Sequence, residues 1–349
     1  MKLLIPNSKR GFMLFLEKLN QLHNDGIITT SLYEIILELF ESYNKAISNY
    51  ELTQEKKNEI FLELLESIEE DIRNPFVFAT FHKKVLFPKD YSKFGRKFLF
   101  PLLDLKNSFV IHSEKLKEIS NLIAQNYNVI FLANHQTEID PQLIDIAFGD
   151  MLGFSHLSQN MIFVAGDRVI TDPLSRPFSM GCDLLCIYSK RHINHPIEKK
   201  EEKLRHNQKT MRLMKNLLSK GGCCIYVAPS GGRDRRNKEG LLLPSPFDPD
   251  SIEMFRIISK ASQKPTFFYP MALQTFDLLP PPEIIEVDLG EIRKIYRSSI
   301  NFSIGNAIDL EKICTENSTF DKLAQREIRA NFVYNVVLSL YQEIEKRKN

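Results

Sequence analysis

The sequence predicts an α/β protein, a mixed and mostly parallel sheet flanked by helices, with a small N-terminal helical bundle in front of it. Three observations carry this. Short apolar runs that read as buried strands recur at 129–133, 161–165, 184–188, 223–228, 266–272 and 284–288. Helical stretches separate several of them, at 113–125, 141–148, 198–219 and 250–261, and such alternation is the pattern of a parallel sheet covered on both faces. Residues 8–73 instead repeat apolar positions at helical spacing with no strand among them. The expected division is a helical domain over 1–75 and an α/β domain over 76–349.

In the first segment, Phe12, Phe15, Leu16, Leu19 and Leu22 share one helical face. Leu32, Ile35, Ile36, Leu39, Phe40, Tyr43 and Ile47 share a second, and Ile60, Phe61, Leu64, Leu65, Ile68 and Ile72 a third. Asn24-Asp25-Gly26 and residues 49–53 break the run, with Thr53 placed to cap the third helix and Asn74-Pro75 to end it. Support or docking is the expected role of this bundle. Residues 76–105 interleave seven phenylalanines with lysine and arginine. That composition suits a surface meeting lipid, a peripheral membrane contact. It equally suits a linker whose aromatic rings plug a domain junction, and the missing helical periodicity favours the linker. A last helix near 320–346 presents Leu323, Ile328, Phe332, Val336, Val337, Leu340 and Ile344, expected to pack back on the sheet.

With 349 residues, 43% hydrophobic and 26% charged, the chain is globular in composition. No apolar run approaches the ~20 residues that span a bilayer, and the N-terminal apolar stretch is too short for a signal peptide. The expected compartment is the cytoplasm. The five cysteines, 182, 186, 223, 224 and 314, have no zinc-like spacing and read as reduced core thiols. Charge is uneven. Residues 1–73 net −5, whereas residues 187–238 net +10. A local excess of that size points to an anionic partner.

The chemistry concentrates after the run Val129–Ala133, in Asn134-His135-Gln136-Thr137-Glu138-Ile139-Asp140-Pro141. Asp140 reads as an N-cap and Pro141 as the first helical residue. A strand ending in His and a helix headed by Asp place both side chains at the carboxyl edge of the sheet, where α/β ligands bind. Such a pair activates a hydroxyl: the imidazole takes its proton and the carboxylate orients the ring. The alternative is a turn-closing histidine beside an ordinary cap. Lys190-Arg191-His192 follows the 184–188 run, and Ser230-Gly231-Gly232-Arg233-Asp234-Arg235 the 223–228 run. Gly231 and Gly232 permit backbone N–H groups to face an anion, and the arginines supply charge. Ser230 lacks the Gly-x-Ser-x-Gly context of a nucleophile and reads as a turn residue.

These blocks, with Phe163-Val164-Ala165-Gly166-Asp167-Arg168-Val169 between them, resemble in order the motifs of the soluble plastid-type glycerol-3-phosphate acyltransferase family, over residues 75 to 290. The resemblance implies acyl transfer from an acyl-carrier-protein or acyl-CoA thioester to the sn-1 hydroxyl of glycerol 3-phosphate. His135 and Asp140 would be the catalytic pair. Arg191, His192, Arg233 and Arg235 would bind the phosphate, although plant members carry Lys at the position of Arg191. Asp167 and Arg168 would support the site, and Tyr269-Pro270-Met271-Ala272 would line the acyl tunnel. No metal, cofactor or nucleic acid is implied beyond the thioester co-substrate. On the helix at 198–219, Lys199, Lys200, Lys203, Arg205, Lys209, Arg212 and Lys215 form either a solvated face or a dock for the acidic carrier protein. Rival readings are a lysophosphatidate acyltransferase and a non-catalytic binder of phospholipid or carrier protein.

Overall fold

The computed structural model describes residues 7–190, 193–282, 291–317 and 321–348. Arg191, His192 and the expected strand at 284–288 lie outside the described residues. The chain opens with helices α1 (Asn7–Asn24), α2 (Thr30–Ala46) and α3 (Gln54–Arg73). The hydroxyls of Thr29 and Thr53 cap α2 and α3, as expected for Thr53, by accepting from the N–H groups of Leu32 and Lys56. Asn74 ends α3. The predicted apolar faces meet: Phe15, Phe40 and Phe61 pack ring to ring at 4.2–5.5 Å.

Next come strand β1 (Phe81–His82), helix α4 (Tyr91–Leu99), strand β2 (Phe109–Ile111) and helix α5 (Lys115–Ala124). Strand β3 (Asn128–Ala133) leads to α6 (Asp140–Asp145), which continues as a π-turn through Met151, and α7 (Ser155–Ser158). Strand β4 (Met161–Gly166), α8 (Arg168–Thr171), α9 (Arg176–Ser179) and strand β5 (Asp183–Ile187) follow. The chain continues through α10 (Lys200–Lys220), β6 (Cys224–Val227), α11 (Pro249–Ala261), β7 (Thr266–Gln274), β8 (Asn301–Ile304) and α12 (Lys322–Lys348).

Among the described residues eight strands form one sheet in the order β1-β5-β4-β6-β3-β7-β8-β2. Its five central strands, β5 to β7, are parallel, and β1 and β8 join them antiparallel. This is the predicted mixed, mostly parallel sheet. Five parallel strands aim five loops at the same edge, so motifs separated by up to 140 residues converge.

Alternation along β3 sends Val129, Phe131 and Ala133 to one core and Ile130 and Leu132 to the other. The first core is shared with α1–α5; the second is covered by α10, α11 and α12. The N-terminal helices reach the sheet through α4. There Phe98 lies 5.6 Å from Phe61 and 5.1 Å from Phe178, and the Tyr43 hydroxyl donates to the Phe98 carbonyl at 2.9 Å.

Three differences from expectation have simple causes. Strands β1, β2 and β8 span two to four residues, too few to show a period. The sequence predicts a linker where α4 forms because aromatic and basic side chains mask its stripe; Phe94 and Phe98 are buried there, while Phe87 is 86% exposed. On α12 the buried stripe is Ala330, Val333, Val337, Leu340, Tyr341 and Ile344, and Leu323 and Phe332 face outward. The partner surface selected a face slightly rotated from the one hydropathy suggested. Among the described residues no helix is long and apolar enough to cross a membrane.

Candidate active site

The site is built at the carboxyl edge of the parallel strands. Asn134, the residue after β3, extends the β3–β7 pairing with its side chain: its Nδ2 donates to the Leu273 carbonyl at 3.0 Å, and the Leu273 N–H donates to its Oδ1 at 2.8 Å. A side chain doing the work of a strand lets the backbone turn away here. His135 is carried to the surface of the edge, its side chain 26% exposed.

Asp140 is fully buried and lies 2.7 Å from His135, Oδ2 to Nδ1. The same oxygen accepts the backbone N–H groups of Gln136 at 2.8 Å and Thr137 at 3.2 Å, and Oδ1 accepts the Thr275 hydroxyl at 2.6 Å. A buried carboxylate that already receives three other donors is an acceptor only, so the proton between it and the imidazole sits on Nδ1. The lone pair of His135 is left on Nε2 of a side chain that remains 26% exposed. Asp140 is thus no ordinary cap. It is the first residue of α6, one earlier than expected, and its side chain points back into the turn instead of along the helix. The carboxylate is thus both the partner of the imidazole and the acceptor that closes the turn. It also occupies the N–H groups of 136 and 137, which therefore cannot serve as oxyanion donors.

The Gly-rich loop after β6 lies beside this turn. Gly231 has φ +67°, a left-handed conformation that favours glycine, and the Ser230 hydroxyl donates to the Gly232 carbonyl at 3.0 Å, a turn role. The link between loop and turn is a residue that no motif spacing singles out. Asp234 is fully buried. Its N–H donates to the His135 carbonyl at 2.6 Å, and its carboxylate accepts Asn134 Nδ2 and the Ser245 N–H, both at 2.8 Å. Burial pushes this carboxyl up to about 6. Its flanking arginines are thereby held at the mouth. Arg233 Nη2 pairs with Glu291 Oε2 at 2.7 Å. Arg235 donates from Nε to the Pro282 carbonyl and from Nη1 to the Arg233 carbonyl, both at 3.1 Å.

Glu138 and Arg293 likewise carry no sequence signal of their pairing. Arg293 is buried and pairs with Glu138 through Nε and Nη2, with Asp172 at 3.1 Å and with the Ser175 hydroxyl at 3.0 Å. Burial alone would raise the Glu138 carboxyl, but the Arg293 guanidinium outweighs it and holds it at about 2. Burial opposes the charge of Arg233 too, yet Glu291 and Glu138 keep its pKa raised. Glu138 sits inside the His-Asp motif, but its partner lies 155 residues away, so no spacing rule pairs them.

Of the other expected residues, Asp167 follows β4 at the same edge, where its carbonyl accepts the N–H groups of Ile170 and Thr171 at 3.1 Å. Arg168 begins α8. Lys190 is turned to Asp248 and Asp250, at 2.6 and 3.2 Å. On α10, Arg205, Lys209, Arg212 and Lys215 are exposed. Lys203 is not part of that face: it is buried, donates to the His195 carbonyl and lies 5.2 Å from the Tyr188 ring centroid. Tyr269 to Ala272 are buried in β7, and the Tyr269 hydroxyl donates to Glu118 at 2.6 Å. All five cysteines are free, and burial pushes Cys182 and Cys186 up to about 12, where a thiol is inert.

A family model described as Acyltransferase matches residues 110–274, which contain both motif loops. The chain is 38% identical over 300 residues to the chloroplastic glycerol-3-phosphate acyltransferase ATS11 of Cucurbita moschata, covering 84% of this chain and 66% of the relative. Identity to the chloroplastic glycerol-3-phosphate acyltransferase of Phaseolus vulgaris is 35% over 313 residues, covering 88% and 67%. For that of Arabidopsis thaliana it is 38% over 246 residues, covering 70% and 53%. The chain therefore spans between half and two thirds of the length of these relatives. Similarity of this degree across most of the chain, with the His-Asp turn and the arginine loop inside the matched region, shows that the chain belongs to the glycerol-3-phosphate acyltransferase family.

Proposed function

We propose that the protein transfers a fatty acyl group from an acyl-carrier-protein or acyl-CoA thioester to the sn-1 hydroxyl of glycerol 3-phosphate, giving 1-acyl-glycerol 3-phosphate. The observation that carries this reading is the buried Asp140 behind His135, which leaves Nε2 as the base at the mouth of an arginine-bearing loop. His135 Nε2 takes the hydroxyl proton as the oxygen attacks the thioester carbonyl carbon. The tetrahedral intermediate collapses, the C–S bond breaks, and the imidazolium returns the proton to the leaving thiolate. No acyl-enzyme is needed. Asp140 fixes the ring and balances the imidazolium charge.

The match to the family's blocks assigns the phosphate arm to Arg233 and Arg235 together with Arg191 and His192. Holding the phosphate turns a bimolecular attack into an effectively intramolecular one. The exposed cations of α10 fit an anionic donor, whether the acidic carrier protein or the phosphates of CoA. The names of the relatives support glycerol 3-phosphate as acceptor over lysophosphatidate. Five free thiols suit a reducing compartment, which the cytoplasm and a plastid both provide.

The test is acyl transfer by the purified full chain. Palmitoyl-carrier protein or palmitoyl-CoA is offered with glycerol 3-phosphate or lysophosphatidate. Turnover with glycerol 3-phosphate alone supports the reading, and comparing donors identifies the carrier. Turnover with lysophosphatidate alone replaces the acceptor. No turnover from folded protein with any pair favours a binding protein instead.

A further inference from the structure

We propose that Glu291 is a built-in counter-ion of the phosphate arm. Its carboxylate holds the Arg233 guanidinium while the acceptor site is empty and yields it in part to the incoming phosphate. Glu291 thereby sets acceptor affinity and selects by acceptor charge. The inference rests on the glycerol 3-phosphate reading and names a specificity-determining residue within it.

Three observations lead here. First, Glu291 is the acceptor on the Arg233 side chain among the described residues, through Nη2 at 2.7 Å. An arginine fork offers two further edges, from Nε and Nη1, so the same guanidinium can receive a second anion without first breaking away. Secondly, the pair is nearly enclosed, Arg233 being 17% and Glu291 10% exposed. A carboxylate there is poorly screened and is felt strongly by a neighbouring anion. Thirdly, Glu291 answers Arg233 directly, in a buried ion group whose other carboxylates are answered by Arg293. Glu138, Asp172 and Glu291 face Arg293 and Arg233. Arg233 is thus already neutralised before a phosphate arrives, and a dianion entering beside it meets a carboxylate as well as a cation.

The backbone at 291 is not free to withdraw. Arg293 Nη1 donates to the Glu291 carbonyl at 2.8 Å, and Arg293 itself is fastened to Glu138, Asp172 and Ser175. The Glu291 side chain is the adjustable part. A carboxylate standing across one guanidinium from the phosphate, roughly 6 Å away, lowers anion affinity by roughly ten- to a hundredfold for an effective dielectric of roughly 20 to 40. The penalty is larger for a dianion than for a monoanion, so it discriminates among acceptors by charge.

Glu291→Gln separates charge from shape, because the amide oxygen still accepts from Arg233 Nη2. Inorganic phosphate and glycerol 3-phosphate are titrated into wild type, E291Q and E291D by calorimetry, and KM and kcat are measured for acyl transfer. The expected result is roughly tenfold or more tighter phosphate binding in E291Q. The KM for glycerol 3-phosphate falls alongside it, kcat does not rise, and E291D stays near wild type. Equal or weaker phosphate binding in E291Q, with E291D folded and unchanged, overturns the proposal and leaves Glu291 as a purely structural partner. The acceptor reading is judged separately, by wild-type turnover: tighter phosphate binding in E291Q without any turnover on glycerol 3-phosphate upholds the counter-ion and removes the acceptor.

Discussion

Asp140→Asn isolates the charge behind His135. The carboxylate accepts three donors on Oδ2 and one on Oδ1. An asparagine oxygen in the Oδ2 position keeps His135 Nδ1 and the N–H groups of 136 and 137 paired. Its Nδ2 then meets Thr275 Oγ1, which turns from donor to acceptor. The opposite orientation would aim an NH2 group at two buried N–H groups, at a cost of about 1–3 kcal/mol each, so it loses. The fold therefore survives. Three charge-assisted bonds weaken, but a buried charge is also removed, and the net loss of stability is about 1–2 kcal/mol.

Catalysis loses more. When His135 takes a proton in the transition state, the imidazolium no longer faces an anion. Two unit charges about 4 Å apart at an effective dielectric of about 20 attract by about 4 kcal/mol, which corresponds to about a thousandfold in rate. The phosphate arm is untouched, so KM for glycerol 3-phosphate changes by less than about threefold. Single-turnover acyl transfer with a saturating thioester gives the rate, and thermal unfolding gives the stability. A folded D140N protein whose rate stays within tenfold of wild type would refute the assignment of that carboxylate as the charge partner of the base.

Glu138→Gln tests the buried ion group. The Glu138 carboxyl is held at about 2 when folded and titrates near 4.3 when unfolded, so its stabilisation is present above the unfolded value and lost as pH falls towards 2. E138Q is therefore expected to cost about 3 kcal/mol at pH 7, with the difference from wild type shrinking below about pH 4. Urea unfolding across that range checks it, and a difference independent of pH would count against the pairing with Arg293. Arg235→Ala is expected to weaken glycerol 3-phosphate binding about tenfold or more with the fold intact; unchanged calorimetric affinity removes Arg235 from the arm. Charge reversal at Lys209 and Arg212 should slow reaction with acyl-carrier protein at low salt and spare glycerol 3-phosphate affinity. Lys203 is buried and takes no part in that face, and equal rates with carrier protein would send the donor elsewhere.

Much of this architecture was legible in the residues themselves. The strands that form the sheet centre are continuous apolar runs because both faces of β3 to β7 are covered, and their boundaries fall within two residues of those expected. The His-Asp turn, the cap at Thr53 and the glycine at 231 were readable because each depends on local chain geometry. What only the tertiary structure decided are pairings across sequence distance. Asp234 reads as one more charge in a basic loop until it is seen buried against Asn134. Glu138 and Arg293, or Arg233 and Glu291, carry no mutual signal in a one-dimensional pattern. The same holds for Lys203, which hydropathy assigns to solvent and the fold buries against Tyr188. Local backbone preference and apolar periodicity are properties of neighbouring residues, so the sequence determined where strands, turns and reactive side chains arise. The partner of a charge depends on which loops the parallel sheet brings to one edge, and that was decided by the packing of the whole chain.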